Sequence, residues 1–263
     1  MHLIEIEDLE LPELQIYRTL RGNAFDADNS FIADSPKVVT MLLESDIVVH
    51  SILATRDYYA QHRKTIESRE ISQCFVGEKK LLERIVGHKL HHGVMLHGRR
   101  PAHIPLEQMG ERIIMLDTLS NMENVGAIAR SAAALGVDSM MLPVASPHPY
   151  GRRAIRVSMG YVTRLRIHRF DTIIESVLRL KALGYTIYGA EASEDAIPLS
   201  KLDTVADKWV IIVGNEEAGL SRELLTLCDH VVQIEMAEGI KSFNVSTAAS
   251  IVMHWLVIHR GKR

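Results

Sequence analysis

Cysteine is scarce in this chain, because Cys74 and Cys228 are the only two and lie far apart without the spacing of a metal-binding pair. A disulfide framework is therefore not expected. Long apolar runs are also missing: the longest, from Ala248 to Ile258, is interrupted by polar side chains and is too short to span a bilayer. The first residues lack the basic start and apolar core of a secretory signal, so we expect a cytoplasmic protein without a membrane segment.

Sequence motifs that mark common nucleotide and hydrolase sites are absent as well. No G-x-G-x-x-G or G-x-x-x-x-G-K-[ST] pattern occurs, which excludes a Rossmann dinucleotide fingerprint and a P-loop. The strand-to-helix turn that carries the serine of many hydrolases is missing too. A ligand pocket in this chain must therefore be built in another way.

The chain also lacks an excess of positive charge, since its formal net charge is −3 at pH 7. This balance argues against a general nucleic-acid binder, but the charges are unevenly distributed. Residues 1–13 hold five acidic residues and no lysine or arginine, whereas residues 151–170 hold six arginines and no acidic residue. These arginines are Arg152, Arg153, Arg156, Arg164, Arg166 and Arg169. They can hold a polyanion or form a solvated face, and charge alone does not separate the two interpretations.

A length of 263 residues with 47% apolar content suits two modest domains or one large domain. Near the N-terminus, SPKVVTMLLES and KKLLERIVGH have helical apolar spacing, and DIVVHSILAT is typical of a strand. This mixture predicts a compact α/β module over residues 1–100. The segment HGRRPAHIPLEQMG, with two prolines and scattered charge, predicts a linker at residues 101–110.

Several histidines in this region raise the question of a zinc site. They are His88, His91, His92, His97 and His103. Their spacing fits no closed site and no cysteine joins them. We therefore predict no bound metal.

From residue 111 onward, short apolar strands alternate with helical segments. The predicted strands are RIIMLD, VDSMMLP, YTIYGAE, KWVIIVGNE and HVVQIEM. The predicted helices are NVGAIARSAAALG, a segment near Phe170–Leu183, a short helix from Ser221 and a long apolar helix at the end. This alternation predicts a mostly parallel sheet that helices cover on both faces. Ligands of such sheets bind beyond the carboxyl ends of the strands.

Three polar clusters lie at these strand ends or at the helix starts that follow them. They are Asn121, Asn124, Gly126 and Arg130, then Gly214–Ser221, and finally Ser242–Ser246. Each has a simple structural explanation, since asparagine and serine cap helices, glycine forms turns and exposed charges are solvated. Three clusters at one sheet edge are better explained by a pocket, where the unpaired N–H groups of a helix start can meet a ligand.

The same clusters resemble the motifs of a known family. N-x-G-A-I-A-R-S-A from Asn124, IIVGNEEAGLS from Ile211 and IEMAEGIKSFNVSTAASI from Ile234 resemble the three motifs of the SpoU/TrmH-type RNA ribose methyltransferases, in the SPOUT superfamily. AIRVSMG from Ala154 is similar to a tract between the first two motifs. FIADSPKVVTMLLES and LHHGVML are similar to a substrate-recognition domain of that family, which resembles a small RNA-binding ribosomal protein.

The resemblance implies an α/β fold with two domains. Residues 111–263 would form a methyltransferase domain with a deep trefoil knot and a mostly parallel sheet, and residues 1–100 a smaller ribosomal-protein-like domain that binds the RNA substrate. It also implies a homodimer formed through the C-terminal domain, and S-adenosylmethionine as the cofactor. The cofactor-binding residues implied are Ala190, Gly214, Asn215, Glu216, Gly219, Ile234, Met236, Asn244, Val245 and Ser246.

The implied reaction is methyl transfer to a ribose 2′-hydroxyl, with ribosomal RNA preferred over tRNA because of the additional N-terminal domain. Arg130 is the candidate for a cation beside the developing oxyanion, and it cannot act as a free base because arginine stays protonated. The implied catalytic residues are Asn124, Arg130, Glu216, Ser242 and Asn244. The implied RNA-binding residues, chiefly phosphate contacts, are Arg152, Arg153, Arg156, Arg164 and Arg166.

Two positions depart from the family pattern, with Glu235 where proline is common and Phe243 where leucine is common. We expect Glu235 to alter the strand end beside the adenine and Phe243 only to repack. The polar motif positions are intact, which favours an active enzyme. The competing hypothesis is a non-catalytic RNA-binding module with a vestigial methyltransferase fold, and a methylase of an RNA base or of a protein is a further alternative.

Overall fold

The computed structural model describes residues 1–18, 25, 28–90, 92–215 and 217–259. Over these ranges the chain forms two compact units. The first contains Met1–Ala102 and Tyr150–Thr163, and the second contains His103–Pro149 and the described residues from Arg164 onward. The boundary after residue 102 lies inside the predicted linker. The predicted domain 111–263 is continuous, whereas residues 150–163 group with the first unit. Within that unit, Arg152 pairs with the buried Asp34.

The secondary structure accounts for most of the described chain. The strands are β1 (Ile4–Glu5), β2 (Ser30–Asp34), β3 (Val49–Ala54), β4 (Gln73–Val76), β5 (Val94–Arg99), β6 (Arg112–Leu116), β7 (Ser139–Pro143), β8 (Arg166–Phe170), β9 (Thr186–Ala190), β10 (Ile197–Pro198), β11 (Trp209–Val213) and β12 (His230–Gln233). The helices are α1 (Gln15–Arg18), α2 (Pro36–Leu43), α3 (Arg56–Gln61), α4 (Arg63–Glu67), α5 (Lys79–Val86), α6 (Met122–Leu135), α7 (Arg152–Val157), α8 (Ile173–Ala182), α9 (Arg222–Leu227) and α10 (Val245–Ile258). No helix in this part of the chain is long and apolar enough to cross a membrane.

The first unit contains a mixed sheet whose described strands lie in the order β1-β4-β3-β5-β2. β1, β4 and β3 are parallel, and β5 is antiparallel to both β3 and β2. Pro36 begins α2, where its missing N–H would have had no partner within the helix. Gly87 ends α5 in the left-handed conformation, with φ of +71°. The two helices and the strand predicted in this region are thereby confirmed as α2, α5 and β3.

The second unit contains a sheet whose described strands follow the order β10-β12-β9-β11-β6-β7-β8, and all of its strand pairs are parallel. Every residue of β11 is buried, as expected for a strand inside a parallel sheet. Val210 and Ile212 of this strand share a core with residues of α8 and α9, while α6 and α10 pack on each other and against β7, β9 and β11. The predicted mostly parallel α/β sheet is confirmed, and the trefoil knot stays a prediction.

Residues 151–170 hold two elements that the arginine-rich composition conceals. α7 carries the first arginines, and β8 carries the last two. In β8, Arg166 is exposed whereas Ile167 and Phe170 are buried. Because β8 lies at the end of the sheet order, its basic side chains reach solvent while its apolar ones still join the core. The sequence predicts a charged surface here but not the strand.

Candidate active site

Four neighbouring strands end at the sheet edge where the polar clusters lie. β12, β9, β11 and β6 are adjacent in the sheet order, and parallel strands place their carboxyl ends at one edge. The segments that follow these strands begin at Ile234, Glu191, Gly214 and Asp117. The structure therefore brings the second and third clusters, and the loop that leads to the first, to a common edge.

The starts of α6 and α10 are joined by a hydrogen bond between two asparagines. Asn244 Nδ2 donates to Asn124 Oδ1 at 3.2 Å. Asn244 is also the N-cap of α10, since its Oδ1 accepts from Ser246 N at 2.9 Å and from Ser246 Oγ at 2.6 Å. Asn121, not Asn124, caps α6, by accepting from Glu123 N at 2.8 Å. Asn124 is buried and does not cap the helix, so its side chain serves the contact between the two helices.

The same helix pair has a second polar contact that sequence reasoning missed. Ser250 Oγ donates to Ser131 Oγ at 2.7 Å and lies 2.7 Å from the carbonyl of Ser246. Ser131 follows Asn124 by seven residues, which is two helical turns on the same face. That spacing is the signal that would have indicated it. The contact continues the alignment of α6 and α10 beyond their first turns.

Among the predicted catalytic residues, Arg130 and Ser242 are exposed, and so is the capping residue Asn244. Arg130 follows Asn124 by six positions, which puts the two side chains about 120° apart around α6. Arg130 makes no hydrogen bond or ion pair with any residue that the structure describes, so its guanidinium is available to a ligand. Glu216, the remaining member, lies outside the described residues.

The loop after β11 folds back on itself, and this explains its two glycines. Asn215 N donates to Gly219 O at 3.3 Å, and Gly219 N donates to Asn215 O at 3.1 Å. A Cβ on Gly214 would lie 2.4 Å from the carbonyl carbon of Gly219. Gly219 has φ of +65°, and a Cβ there would lie 2.6 Å from Glu191 Oε2, which accepts from Leu220 N at 2.8 Å. Both positions require glycine for the shape of the loop, whatever it binds.

Asn215 makes side-chain contacts on both sides of its amide. Its Nδ2 donates to the carbonyl of Thr118 at 2.8 Å. Its Oδ1 accepts from Glu217 N at 2.9 Å and from Ala218 N at 3.1 Å. Thr118 lies in the loop between β6 and α6, with φ of +45°. The sequence does not indicate Thr118, because nothing in the local pattern connects it to a residue 97 positions away.

The segment that follows β12 supplies the remaining predicted cofactor residues. Residues 234–244, all of them described, contain neither helix nor strand, so their backbone donors and acceptors are not used by a ladder. Ile234 and Met236 are half-buried there, as are Val245 and Ser246 in the first turn of α10. Ala190, at the end of β9, is half-buried beside them and pairs with residues of β11 and β12. The segment therefore combines apolar side chains with backbone groups that no strand pairing uses.

Glu235, the departure from the family pattern, is held by a neighbouring segment. Its carboxylate accepts a hydrogen bond from Ser200 Oγ, and this bond lowers the pKa of Glu235. At the end of β12, Gln233 Nε2 donates to Ala196 O at 3.0 Å. These contacts anchor the exit of β12 to the chain around β10. The second departure, Phe243, is exposed to 41% of its surface.

The predicted RNA-binding arginines are divided between the two units. In the first unit, Arg152 donates to Asp34 Oδ2 from Nε at 3.0 Å and from Nη2 at 2.5 Å, and its Nη2 lies 2.8 Å from His88 Nε2. Arg153 and Arg156 lie on the same helix, where their side chains are more open to solvent. In the second unit, Arg164 and Arg166 are exposed, and Arg166 pairs with Asp138 at 3.8 Å. Arg169 donates to the carbonyls of Pro143 at 3.1 Å and Ser146 at 2.9 Å. Arg152 and Arg169 are thus used internally, which the charge pattern did not indicate.

The histidines that were considered for a zinc site have separate surroundings. His88 contacts Arg152, and the ring of His103 stacks on that of His148 with centroids 6.0 Å apart. Burial, with a smaller contribution from His50, lowers the pKa of His97 to about 4. His91 lies outside the described residues. Across the part of the chain that the structure describes, no group of three or more histidine, cysteine or acidic side chains is arranged to hold a metal ion.

Comparison with known proteins identifies the family. Residues 111–254 match the sequence model of the SpoU rRNA Methylase family, and this range is more than half of the chain. The chain belongs to the SpoU rRNA Methylase family.

Two mycobacterial relatives carry related descriptions. An "Uncharacterized tRNA/rRNA methyltransferase" of Mycobacterium bovis is 30% identical over 95% of this chain and 90% of its own length. A protein of the same description from Mycolicibacterium paratuberculosis is 31% identical over 65% of this chain, but that match spans only 58% of the relative.

Solved structures show the same fold over almost the whole chain. An AdoMet-bound rRNA methyltransferase from Sinorhizobium meliloti has a TM-score of 0.84 and 24% identity, and the match covers 98% of each chain. The SpoU methyltransferase AviRb from Streptomyces viridochromogenes has a TM-score of 0.79 and 22% identity, over 94% of this chain and 96% of its own. At these identities the likeness establishes the fold alone.

Proposed function

We propose that this protein transfers the methyl group of S-adenosylmethionine to a ribose 2′-hydroxyl of RNA, with ribosomal RNA as the preferred substrate and tRNA as the second choice. The Asn124–Asn244 hydrogen bond is the observation that carries the proposal. It joins the first and third motifs at a sheet edge where the loop of the second motif also lies. Family membership supports the reaction class, and a solved RNA 2′-O ribose methyltransferase with a TM-score of 0.77 and 19% identity supports the ribose as acceptor.

The residues at the sheet edge fit S-adenosylmethionine in kind. The segment 234–244 offers a nucleoside backbone groups that no strand pairing uses, and half-buried Ile234, Met236 and Val245 offer apolar contact to its ring. Ala190, Gly214 and Gly219 bring backbone close to the same edge. When bound, the cofactor supplies a methyl group that its sulfonium has already made electrophilic.

Arg130 is proposed as the cation beside the reacting hydroxyl. A ribose hydroxyl is a poor nucleophile at neutral pH, and a nearby positive charge favours its deprotonated form. Arg130 stays protonated and therefore stabilises the developing oxyanion electrostatically instead of removing the proton. Its guanidinium is exposed and unpaired within the described chain, so it can also hold the neighbouring phosphate.

Asn124 and Asn244 are proposed to position the α6 and α10 starts on either side of the acceptor. Ser242 lies two residues before Asn244 and is exposed, so its hydroxyl can reach a bound ribose. Glu216 is proposed for the same site from its place in the second motif. These groups orient the acceptor and the cofactor, which lowers the barrier by holding the reacting atoms in the geometry for transfer.

RNA recognition is assigned to the first unit together with the more open arginines of the tract. Arg153, Arg156, Arg164 and Arg166 are proposed as phosphate contacts. Exposed Lys79, Lys80 and Arg84 on α5 add positive charge to the first unit and support its role as the RNA-binding domain. Arg152 is proposed to act in RNA binding only through its helix, because its guanidinium is held by Asp34.

A homodimer through the C-terminal domain is part of the proposal. α10 leaves Ala248, Ile251 and Trp255 only half-buried and Ile258 exposed to 46%. A second copy would cover this surface. Ribosomal or transfer RNA as the substrate implies that the protein acts in the cytoplasm.

The test is methyl transfer from labelled S-adenosylmethionine into total RNA from a strain that lacks this protein. The RNA is then digested to nucleosides and analysed by mass spectrometry, with wild type, Arg130→Ala and the charge-preserving Arg130→Lys in parallel. We expect a 2′-O-methyl nucleoside with wild type, a loss of about 100-fold or more with Arg130→Ala, and partial activity with Arg130→Lys. The RNA fraction that carries the label identifies the substrate.

Other outcomes would redirect the proposal. A methylated base in place of a methylated ribose would overturn the acceptor assignment. Binding of both cofactor and RNA without transfer to free RNA or to ribosome assembly intermediates would favour a non-catalytic RNA-binding module. Absence of cofactor binding would overturn the methyltransferase assignment itself.

A further inference from the structure

The amide of Asn215 lies between two loops of the sheet edge. Asn215 follows β11, and Thr118 follows the adjacent strand β6, with Val213 and Leu116 as paired strand residues. Asp117 N donates to Val213 O at 3.0 Å, so the two segments remain hydrogen-bonded one residue beyond the end of β6. One residue further along the β6–α6 loop, a side chain joins the two segments, because Asn215 Nδ2 donates to Thr118 O at 2.8 Å.

The opposite side of the amide is also occupied. Asn215 Oδ1 accepts from Glu217 N at 2.9 Å and from Ala218 N at 3.1 Å, which closes the turn after β11. An asparagine side chain has two acceptor positions and two donor hydrogens, so three of the four are used within the protein. Little of this side chain is left to contact a cofactor.

We propose that Asn215 is a positioning residue that fixes the β6–α6 loop to the turn after β11, and not a cofactor ligand as the motif resemblance implies. This inference rests on the proposed function and refines it. The β6–α6 loop leads into α6, which carries Asn124 and Arg130, whereas the turn after β11 belongs to the cofactor side. Asn215 therefore sets the distance between the group that receives the methyl and the group that delivers it.

The conformation of Thr118 supports this role. Its φ of +45° lies in the left-handed region, which a β-branched residue adopts only when surrounding contacts hold it there. The hydrogen bond from Asn215 to the Thr118 carbonyl is such a contact. Only a carboxamide of this length can donate to one loop while accepting from the other, since aspartate has no donor and serine is too short to span both.

Asn215→Asp tests the donor and the acceptor of the Asn215 amide separately. Asn215→Asp keeps an acceptor for Glu217 N and Ala218 N but replaces the donor to Thr118 O with a second oxygen, which repels the carbonyl. Asn215→Ala removes both sets of bonds. Asn29→Asp is the matched control, because Asn29 Nδ2 also donates to a backbone carbonyl, that of Arg100 at 3.3 Å, within the first unit.

Three measurements on the full chain test the inference: amide hydrogen exchange of segments 117–121 and 217–220, affinity for S-adenosylmethionine by calorimetry, and the single-turnover transfer rate at saturating cofactor. For Asn215→Asp we expect faster exchange in 117–121 alone, a transfer rate lower by about 10- to 100-fold, and a change in cofactor affinity below about threefold. Asn215→Ala should speed exchange in both segments, and Asn29→Asp in neither.

Two results would overturn the inference. One is unchanged exchange in 117–121 with Asn215→Asp. The other is a loss of cofactor affinity by Asn215→Asp as large as its loss of transfer rate, which would make Asn215 a ligand. Failure of the proposed function is distinguishable, because wild type would then neither bind the cofactor nor transfer a methyl group, while the exchange pattern would still decide whether Asn215 links the two loops.

Discussion

Asn244 donates from Nδ2 to Oδ1 of Asn124 at 3.2 Å, across 120 positions of sequence. The same Asn244 caps α10 through its Oδ1, which accepts from Ser246 N. One side chain thus stabilises a helix start and fixes that start to a second helix. The two roles can be separated by substitution.

Asn244→Ser should keep a capping oxygen but is too short to reach Asn124, whereas Asn244→Ala loses both contacts. We expect Asn244→Ala to lower the free energy of unfolding by about 1 kcal/mol and Asn244→Ser by only a few tenths. Both should slow methyl transfer by about tenfold or more, because the two helix starts are no longer held together. Urea unfolding and single-turnover rates measure the two effects, and wild-type transfer by Asn244→Ser would assign Asn244 to capping alone.

Arg152 and Arg153 are neighbours on α7 with different surroundings. Arg152 holds the buried Asp34, whose Oδ1 has no hydrogen-bond partner in the described structure, whereas Arg153 is exposed. Arg152→Ala should lower the free energy of unfolding by about 2 kcal/mol, since it deprives a buried carboxylate of its main partner. Arg153→Ala should change it by less than about 0.5 kcal/mol.

For RNA binding we expect the reverse, with a larger effect of Arg153→Ala than of Arg152→Ala on the salt dependence of the affinity. If Arg153 contacts a phosphate, Arg153→Ala reduces the slope of log affinity against log salt concentration by about 1. Arg152→Ala should leave that slope unchanged as long as the variant is folded. Filter binding over a range of salt concentrations measures this, and a reduced slope for Arg152→Ala would show that its guanidinium reaches RNA.

His97 should make the stability of the first unit depend on pH. Burial lowers the pKa of His97 from 6.5 to about 4, and its Nε2 is buried without a partner in the described part of the chain. The unfolded chain therefore binds more protons than the folded one between about pH 6.5 and pH 4. The contribution of His97 to stability is complete above that window and is lost as the pH falls through it.

His97→Gln removes this titration and should flatten the decline of the urea midpoint across the same window. Measurement of the midpoint from about pH 7.5 to about pH 4 for both proteins tests it, with about half-unit steps. Parallel curves for wild type and variant would mean that His97 is protonated equally in the folded and unfolded chains.

Alanine substitutions at Gly219 and Gly239 distinguish the effect of backbone strain from that of a steric clash. Both have positive φ, +65° and +81°, but only at Gly219 would an added Cβ meet a neighbour, Glu191 Oε2, at 2.6 Å. Gly239→Ala should lower the free energy of unfolding by about 1 kcal/mol from strain alone, and Gly219→Ala by about 2 kcal/mol or more with a weaker cofactor affinity. Urea unfolding and calorimetry measure both, and equal effects would mean that Glu191 moves aside freely.

The strand and helix alternation of the second unit was predictable because each strand is a short apolar run between turn residues, as in β11. The cap at Asn244 was predictable from the local pattern. Its contact with Asn124 was not, because pairing across 120 residues depends on how α6 and α10 pack. The ion pair between Arg152 and Asp34 was not predictable either, since Asp34 is distant in sequence and is buried by tertiary structure.

Residues 150–163 belong to the first unit although the chain before and after them belongs to the second. No single cut can therefore divide this protein into two self-sufficient fragments. A fragment of residues 1–100 lacks the arginine that neutralises Asp34, and a fragment of residues 111–263 carries α7 without the strand against which it packs. Insertions and deletions between β7 and β8 are consequently constrained by both units at once, so this stretch should tolerate less variation in length than an ordinary surface loop.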